Sequence, residues 1–380
     1  MRAKLVHSDE LTRYDFGAAH PMGPGRVHMA IELARQLGVL ELLDVVAAPP
    51  PDDDLVRLVH TDAYIEAVKS EVAHLHYGIG TQDNPVVPGM HEVAARVCAA
   101  TTEAARVVWA GQTNRAANMA GGLHHAMPEL TSGFCVYNDC AVAIRWLQHQ
   151  GVQRIAYLDI DAHHGDGVQA IFYDDPGVMT ISLHESPVHL FPGTGFASEV
   201  GGRFAPGTAV NVALPPGLDD AGWLRAFDAV VPPVLEEFRP QILISQHGCD
   251  AHADDPLTDL DMSIDGQRAS YLMVAELAER FCEDRWVATG GGGYALETVV
   301  PRAWAHLLAV LAGQPIPPDT PTPGAWRELM GPAAPLTMGD GGDARFEPVT
   351  WGYNPSSRLD QAIIATRRSA FPELGLDPDF

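Results

Sequence analysis

The chain has 380 residues, with 49 Asp and Glu against 24 Lys and Arg, and a formal net charge of −25. This length suffices for one large α/β domain or two smaller ones, and the lack of a repeat or linker over residues 1–312 favours one. Nucleic-acid binding requires clustered cations, which this sequence lacks. The acidity is compatible with solubility alone or with attraction of a cationic substrate into a cleft.

Hydropathy and cysteine content exclude other classes of protein. No apolar stretch reaches the 18 residues that a membrane span needs, and the N-terminal residues 1–7 lack the apolar core of a signal peptide. Five cysteines without a Cys-x-x-Cys motif argue against a disulfide framework and against a thiolate zinc site. We therefore expect a cytoplasmic protein without membrane or nucleic-acid partners.

Strand-like and helix-like segments alternate along the chain. The predicted strands are residues 3–7, 114–119, 154–159, 178–183, 209–214, 241–246 and 286–289. The predicted helices are residues 27–37, 93–110, 139–149, 222–237 and 264–283. Such alternation predicts a single-domain, three-layer α/β/α sandwich around a central, mostly parallel sheet. Residues 313–380 are rich in Pro and Gly, and we expect an extension packed on the same domain, with a short helix at 360–367.

Four motifs rich in polar residues or glycine follow predicted strands. They are residues 121–125 (GGLHH), 159–167 (DIDAHHGDG), 248–256 (GCDAHADDP) and 290–294 (GGGGY). In parallel sheets, ligands bind beyond the carboxyl ends of the strands. We therefore expect the four motifs to meet in one cleft.

Asp161, His163 and Asp250 are the candidate metal ligands. Residues i and i+2 of an extended segment point the same way, so Asp161 and His163 can face one ion. Three protein ligands leave a position for water, as in catalytic zinc sites. Alternatively, Asp161 caps a turn and His163 is a core histidine, but two acidic clusters at strand ends would be costly without a cation.

Two histidines and a tyrosine complete the candidate chemistry. Asp159 and Asp166 can each pair with one of His124 and His125, and such a pair can act as a general base. Tyr294, after four glycines, can stabilise a developing oxyanion. Each feature alone also fits a polar loop or a flexible turn.

In these motifs the chain resembles the class I histone-deacetylase-like family, in particular its bacterial acetoin-utilisation deacetylase branch. The resemblance covers roughly residues 5–312 and includes, besides those four motifs, HPMGPGR at 20–26, SGFCVYND at 132–139, SLH at 182–184 and FPGTG at 191–195. It implies the arginase/deacetylase fold and removal of acetyl groups from acetyl-lysine in proteins. It also implies metabolic enzymes, such as acetyl-CoA synthetase, as substrates.

The resemblance further implies a role for individual residues. Asp161, His163 and Asp250 correspond to the zinc ligands, with ferrous iron as the other metal considered. His125 with Asp166 corresponds to the general base and acid, His124 with Asp159 to an electrostatic histidine, and Tyr294 to the carbonyl-polarising tyrosine. The substrate tunnel corresponds to Gly133, Phe134, Phe191 and Leu257, the acetate cavity to Arg26, and the rim to Asp83. A structural potassium ion would be held by Asp159, Asp161, His163, Ser182 and Leu183.

Two alternative enzymes share these features. An acetylpolyamine amidohydrolase would suit an acidic rim, although a dimerisation insertion is not identifiable. A binuclear-manganese ureohydrolase shares the Asp-x-His spacing but needs aspartates where this chain has Gly165 and His252. The sequence leaves open whether the protein is a monomer or a homodimer.

Overall fold

The computed structural model describes residues 1–13, 15–18 and 20–379. Within that part of the chain, eight parallel strands form one sheet in the order β2-β1-β3-β8-β7-β4-β5-β6. The strands are β1 (Lys4–Val6), β2 (Asp44–Val46), β3 (Arg115–Asn118), β4 (Ile155–Asp159), β5 (Val178–Glu185), β6 (Ala209–Leu214), β7 (Ile242–Gln246) and β8 (Trp286–Thr289).

Helices cover both faces of this sheet. They are α1 (Gly25–Gln36), α2 (Asp53–Val56), α3 (Asp62–Lys69), α4 (Met90–Trp109), α5 (Asp139–His149), α6 (Asp166–Phe172), α7 (Asp220–Phe238), α8 (Ile264–Phe281), α9 (Val300–Leu311), α10 (Gly324–Met330) and α11 (Arg358–Ala370). None of these helices is long and apolar enough to span a membrane.

The core consists of one apolar layer on each side of the sheet. Alternate residues of a strand face opposite layers, so Leu158 of β4 belongs to the core layer with residues of α7, α8 and α9, whereas Tyr157 belongs to the layer with residues of α4 and α5. Because helices cover both faces, the residues of β4 and β7 are all buried. The predicted three-layer sandwich is therefore confirmed.

The strand order explains where the four motifs meet. The central strands β3, β8, β7 and β4 are neighbours, and each of them is followed by one motif. After β3 the chain skips to β4, and the later strands β7 and β8 fill the space between them. The carboxyl ends of these four strands lie side by side, which brings motifs separated by more than a hundred residues to one edge.

Several elements differ from the sequence prediction. The edge strand β2 was not predicted, since it is short and largely exposed. Helices α2, α3, α6, α9 and α10 were not predicted; all residues of α9 are buried. In the extension, α11 is longer than the predicted helix and packs against β6 and α7. The domain boundary at residue 312 stays a prediction.

Candidate metal and catalytic site

Three acidic and imidazole side chains converge beyond β4 and β7. The ligand atoms of Asp161, His163 and Asp250 all lie within 4.8 Å of one another, and the three residues are buried. His163 Nδ1 lies 3.1 Å from Asp161 Oδ1 and 2.9 Å from Asp250 Oδ2. The predicted ligands are thus together, and among the described residues they form the group that could hold a metal ion.

The charges of this group fit a cation. Burial, and then the neighbouring charge of Asp161, raises the pKa of Asp250 to about 7. Two adjacent buried carboxylates repel each other and lose their hydration, so one of them resists ionisation. A divalent ion between them would remove that penalty, and the mixed oxygen and nitrogen donors suit zinc.

Backbone and amide donors hold the carboxylates in place. Asp161 Oδ2 accepts hydrogen bonds from Gln246 Nε2 and from the amide of Gly292, each at 2.7 Å. Asp250 Oδ1 accepts one from the amide of Ala162 at 2.8 Å. The Asp161 side chain is therefore fixed by β7 and by the glycine-rich loop after β8.

His124 and His125 lie next to the triad, each with the predicted carboxylate. His124 Nδ1 is 2.8 Å from Asp159 Oδ2, and His125 Nδ1 is 2.7 Å from Asp166 Oδ1. Their Nε2 atoms are 3.0 Å apart. Since each Nδ1 donates to a carboxylate, one Nε2 must donate a proton to the other.

The pKa values of His124 and His125 indicate which of the two rings carries the shared proton. Burial opposes charge on His124, but Asp159 and Asp161 outweigh it and raise the pKa of His124 to about 9. Burial and the charge of His124 lower the pKa of His125 to about 4. At neutral pH, His124 is therefore cationic and His125 is neutral, and the His125 Nε2 lone pair accepts the hydrogen bond from His124 Nε2.

Tyr294 lies at the end of the glycine-rich loop. Its backbone amide donates to Asp255 Oδ2 at 2.7 Å, and the other oxygen of Asp255 accepts the amide of Leu257 at 3.0 Å. Burial raises the pKa of the Tyr294 phenol well above its usual value. The hydroxyl thus stays protonated and can act as a donor.

Aromatic side chains stand above these groups. The Phe191 ring packs edge-on against His125 with centroids 5.0 Å apart and is 48% exposed. Phe134 contacts the Tyr294 ring at 5.8 Å. A Cβ at Gly133, whose φ is +50°, would lie 2.3 Å from the His125 ring, so glycine is required there. Leu257 is 37% exposed.

Two small cavities adjoin the site. One of about 20 Å³ lies among His124, His125, Gly133, Phe134 and Tyr294, with room for a water. The other, also of about 20 Å³, includes Arg26. The two cavities share Met22 and Gly291 in their walls.

Arg26 is buried and contacts the glycine-rich loop. Its guanidinium donates to the carbonyls of Gly291 and Gly293 and stacks over the rings of Tyr294 and Trp304. It therefore fixes the loop that carries Tyr294, besides lining the inner cavity.

The remaining predicted residues are more dispersed. Ser182 pairs with Asp159 across β5 and β4, and its hydroxyl contacts His184 Nδ1 at 2.8 Å. Leu183 is the next, buried residue of β5. Asp83 is exposed; its neighbour Asn84 accepts the amide of Phe134 at 3.0 Å, which brings this loop to the aromatic wall.

Sequence reasoning missed three residues that support the site. The Tyr157 hydroxyl donates to Asp159 Oδ2 at 2.6 Å, Gln246 holds Asp161, and Asn138 Nδ2 donates to the carbonyls of His124 and Ala126. Tyr157 is two residues before Asp159 on β4, so the strand period could have indicated it. For the other two residues, spacing carried no such signal.

The chain is similar to known proteins over nearly its whole length. The family model described as "Histone deacetylase domain" matches residues 20–311. The acetoin utilization protein AcuC of Bacillus subtilis (strain 168) is 39% identical over 356 residues, with 91% of each chain covered. The same-named protein of Staphylococcus xylosus is 34% identical, with 98% of this chain and 94% of that one covered.

A solved structure is similar as well. The crystal structure of an HDAC homolog complexed with SAHA matches with a TM-score of 0.84 at 28% identity, covering 96% of this chain and 100% of that chain. Family, fold and the buried Asp-His-Asp group therefore agree: the chain belongs to the histone deacetylase family of metal-dependent deacetylases.

Proposed function

We propose that the protein removes the acetyl group from the ε-amine of acetyl-lysine in proteins. The observation that carries this proposal is the buried group Asp161, His163 and Asp250 beside a neutral, carboxylate-paired histidine. A metal site, a proton acceptor and a buried phenol around one small cavity suit hydrolysis of an amide. The apolar wall suits the aliphatic stem of lysine.

Asp161, His163 and Asp250 would hold Zn²⁺, with Fe²⁺ as the alternative. The bound ion would supply Lewis acidity and lower the pKa of a bound water. The family and the donor set support a divalent ion at this place. Two carboxylates would bind the ion, so that metal binding would change the net charge of the site from negative to near zero.

The chain's own residues would move the protons. Once the attacking water replaces its contact with His124, His125 Nε2 takes a proton from that water and later donates it to the lysine amine that leaves. Asp166 keeps the His125 ring oriented through Nδ1. His124, cationic through Asp159, stabilises negative charge, and the Tyr294 hydroxyl donates to the carbonyl oxygen as that charge develops.

Further parts of the site belong to the same proposal. Gly133, Phe134, Phe191 and Leu257 would enclose the acyl-lysine stem, Arg26 would contact acetate in the inner cavity, and Asp83 would contact the substrate backbone. A structural potassium ion would be held by Asp159, Asp161, His163, Ser182 and Leu183, close to the zinc ligands.

Acetylated polyamines are the competing substrate class. The net charge of −25 favours cationic substrates in general. A ureohydrolase would need acids at positions 165 and 252. A Cβ at Gly165 would lie 2.3 Å from Asp159 Oδ2, so an acid does not fit there. At position 252 the chain has a histidine, whose ring is hydrogen-bonded to Asp340. With the ureohydrolase excluded, the two remaining substrate classes are acetylated proteins and acetylated polyamines.

Variants of the proposed acid–base and tyrosine residues test the function. With zinc-loaded protein and an acetyl-lysine peptide, we expect His125→Ala to lower kcat by about 10²–10⁴-fold and Tyr294→Phe by about 10²–10³-fold. His149→Ala on an exposed helix end and Tyr353→Phe in the extension are matched controls that should retain activity. Wild-type turnover by both test variants would refute the assigned roles.

The same assay separates the substrate classes and the metals. A higher kcat/KM for an acetylated polyamine than for acetyl-lysine peptides would replace the proposed substrate. Activity of the metal-free protein after addition of Zn²⁺ or Fe²⁺ compares the two ions. Comparing the acetylated proteins of cells with and without the enzyme would identify the natural substrate, for which the branch resemblance suggests acetyl-CoA synthetase.

A further inference from the structure

Asp340 of the C-terminal extension contacts the loop that carries a metal ligand. It lies outside residues 20–311, which the family model matches. Asp340 Oδ2 accepts hydrogen bonds from His252 Nε2 at 2.9 Å and from the amide of Ile264 at 2.8 Å. Asp340 Oδ1 accepts one from Arg302 Nη1 at 2.6 Å. Arg302 is 1% exposed and His252 is 5% exposed, whereas the Asp340 side chain is 29% exposed. The contact therefore lies at the protein surface, where Asp340 covers two buried side chains.

His252 transmits this contact to the site. It is two residues beyond Asp250, and its second ring nitrogen accepts the amide of Asp254 at 3.0 Å. With both nitrogens engaged, the ring clamps the turn that leads to Asp255. Asp255 in turn holds the amides of Leu257 and Tyr294. One segment thus connects the metal ligand, the tunnel wall and the catalytic tyrosine.

We propose that Asp340 is a positioning residue for this segment, so that the extension completes the active site. This inference deepens the proposed deacetylase function and rests on it. Asp340 fixes His252, and His252 fixes the direction in which Asp250 and Asp255 leave β7. Without this contact, Asp250 would no longer be held in the position in which the three ligands converge. Groups that orient metal ligands commonly change metal affinity by about 10–100-fold when removed.

A second contact between the extension and the rest of the domain serves as a control for Asp340. Arg225 and Asp360 form a second ion pair between the extension and the body, with Nε to Oδ1 at 2.8 Å and Nη2 to Oδ2 at 3.0 Å. This pair joins α7 to α11, and its further hydrogen bonds are to Glu347, Gly352 and Asn354, which are not residues of the metal site. Asp360 is 3% exposed, so its loss should also destabilise the fold.

The test compares Asp340→Asn, His252→Ala and Asp360→Asn in the full-length chain. The zinc dissociation constant is measured by competition with a chromogenic chelator, beside kcat, KM and Tm. We expect Asp340→Asn and His252→Ala to raise the zinc dissociation constant by about tenfold or more and to lower kcat. We expect Asp360→Asn to lower Tm with zinc affinity and kcat unchanged.

A double variant tests the route through His252. If Asp340 acts through that ring, Asp340→Asn combined with His252→Ala should weaken zinc binding no more than the worse single variant. Wild-type zinc affinity in Asp340→Asn, or an equal loss in Asp360→Asn, would overturn the proposal. Zinc affinity is measured without substrate, so inactivity towards acetyl-lysine would refute the proposed function and leave this comparison decisive.

Discussion

At the scale of single residues, glycines leave the space in which the metal ligands approach each other. A Cβ at Gly292 would lie 2.1 Å from Asp250 Oδ2 and 2.8 Å from Asp161 Oδ2. A Cβ at Gly248 would lie 2.0 Å from Asp161 Oδ2. The carboxylates thus occupy the volume that side chains at these positions would need. The glycines of the loop after β8 are a steric requirement of the site, besides allowing unusual backbone conformations.

The variant Gly292→Ala tests this steric requirement. Because the new methyl group would displace Asp250 and Asp161, we expect at most a small fraction of wild-type zinc content and a loss of activity of at least about 10²-fold. Metal content is measured by elemental analysis after dialysis against zinc. Gly324→Ala is the matched control, since a Cβ there meets nothing within 4 Å. Full zinc occupancy in Gly292→Ala would contradict the argument.

At the scale of elements, the start of α5 supports the loop that carries His124 and His125. Asn138 caps α5, with its Oδ1 accepting the amide of Ala141 at 3.0 Å. Its Nδ2 donates to the carbonyls of His124 at 3.1 Å and Ala126 at 3.0 Å. The Asn138 side chain thus caps α5 and also holds the loop that carries His124 and His125. The orientation of the histidine pair depends on where α5 begins.

The variant Asn138→Asp separates these two roles. A carboxylate keeps the cap acceptor but cannot donate to the two carbonyls, so we expect a loss of about 2–4 kcal/mol in the free energy of unfolding together with a lower kcat. Ser357→Ala removes only the cap of α11. It should cost about 1 kcal/mol and leave kcat unchanged. Urea denaturation and peptide deacetylation provide both measurements. Wild-type kcat in Asn138→Asp would show that the hydrogen bonds to the loop are dispensable.

At the scale of the whole molecule, buried neutral histidines couple stability to pH. Burial lowers the pKa of His60 to about 4, that of His306 to about 4 and that of His247 to about 3. His60 Nε2 accepts the amide of Asn138 at 3.0 Å, so protonation there would break that bond. Between pH 6.5 and 4 these three histidines bind protons in the unfolded chain but not in the folded protein. Their contribution to stability is therefore fully present above pH 6.5 and is lost as the pH decreases through this window.

The variant His60→Gln isolates one of these groups. A folded pKa near 4 against 6.5 in the unfolded chain accounts for about 2 kcal/mol of lost stability between pH 7 and pH 5. The loss of unfolding free energy between these two pH values should therefore be about 2 kcal/mol smaller in His60→Gln than in the wild type. His149→Gln, at an exposed position, should match the wild type. Equal pH dependence in all three proteins would show that His60 is not protonated on unfolding.

Most of the architecture was accessible from local patterns. The seven predicted strands are present, because most buried parallel strands contain an apolar run that is visible in the sequence. Helices with an apolar face, such as α4 and α8, were found within a few residues of their ends. Strand β2 was missed because it is short and exposed. The buried helix α9 was missed as well, as were the shorter helices α2, α3, α6 and α10.

The sequence by itself determined which side chains are proposed to carry the chemistry: Asp161 and His163 at alternate positions, a second acid after β7, and paired histidines with nearby acids. Only the tertiary structure decided which strands are neighbours, and hence that Gln246 and Gly292 hold Asp161 and that Asp340 reaches His252. Local spacing reflects the period of a strand or helix over a few residues. Contacts between residues far apart in the chain depend on strand order and packing, which no local period encodes.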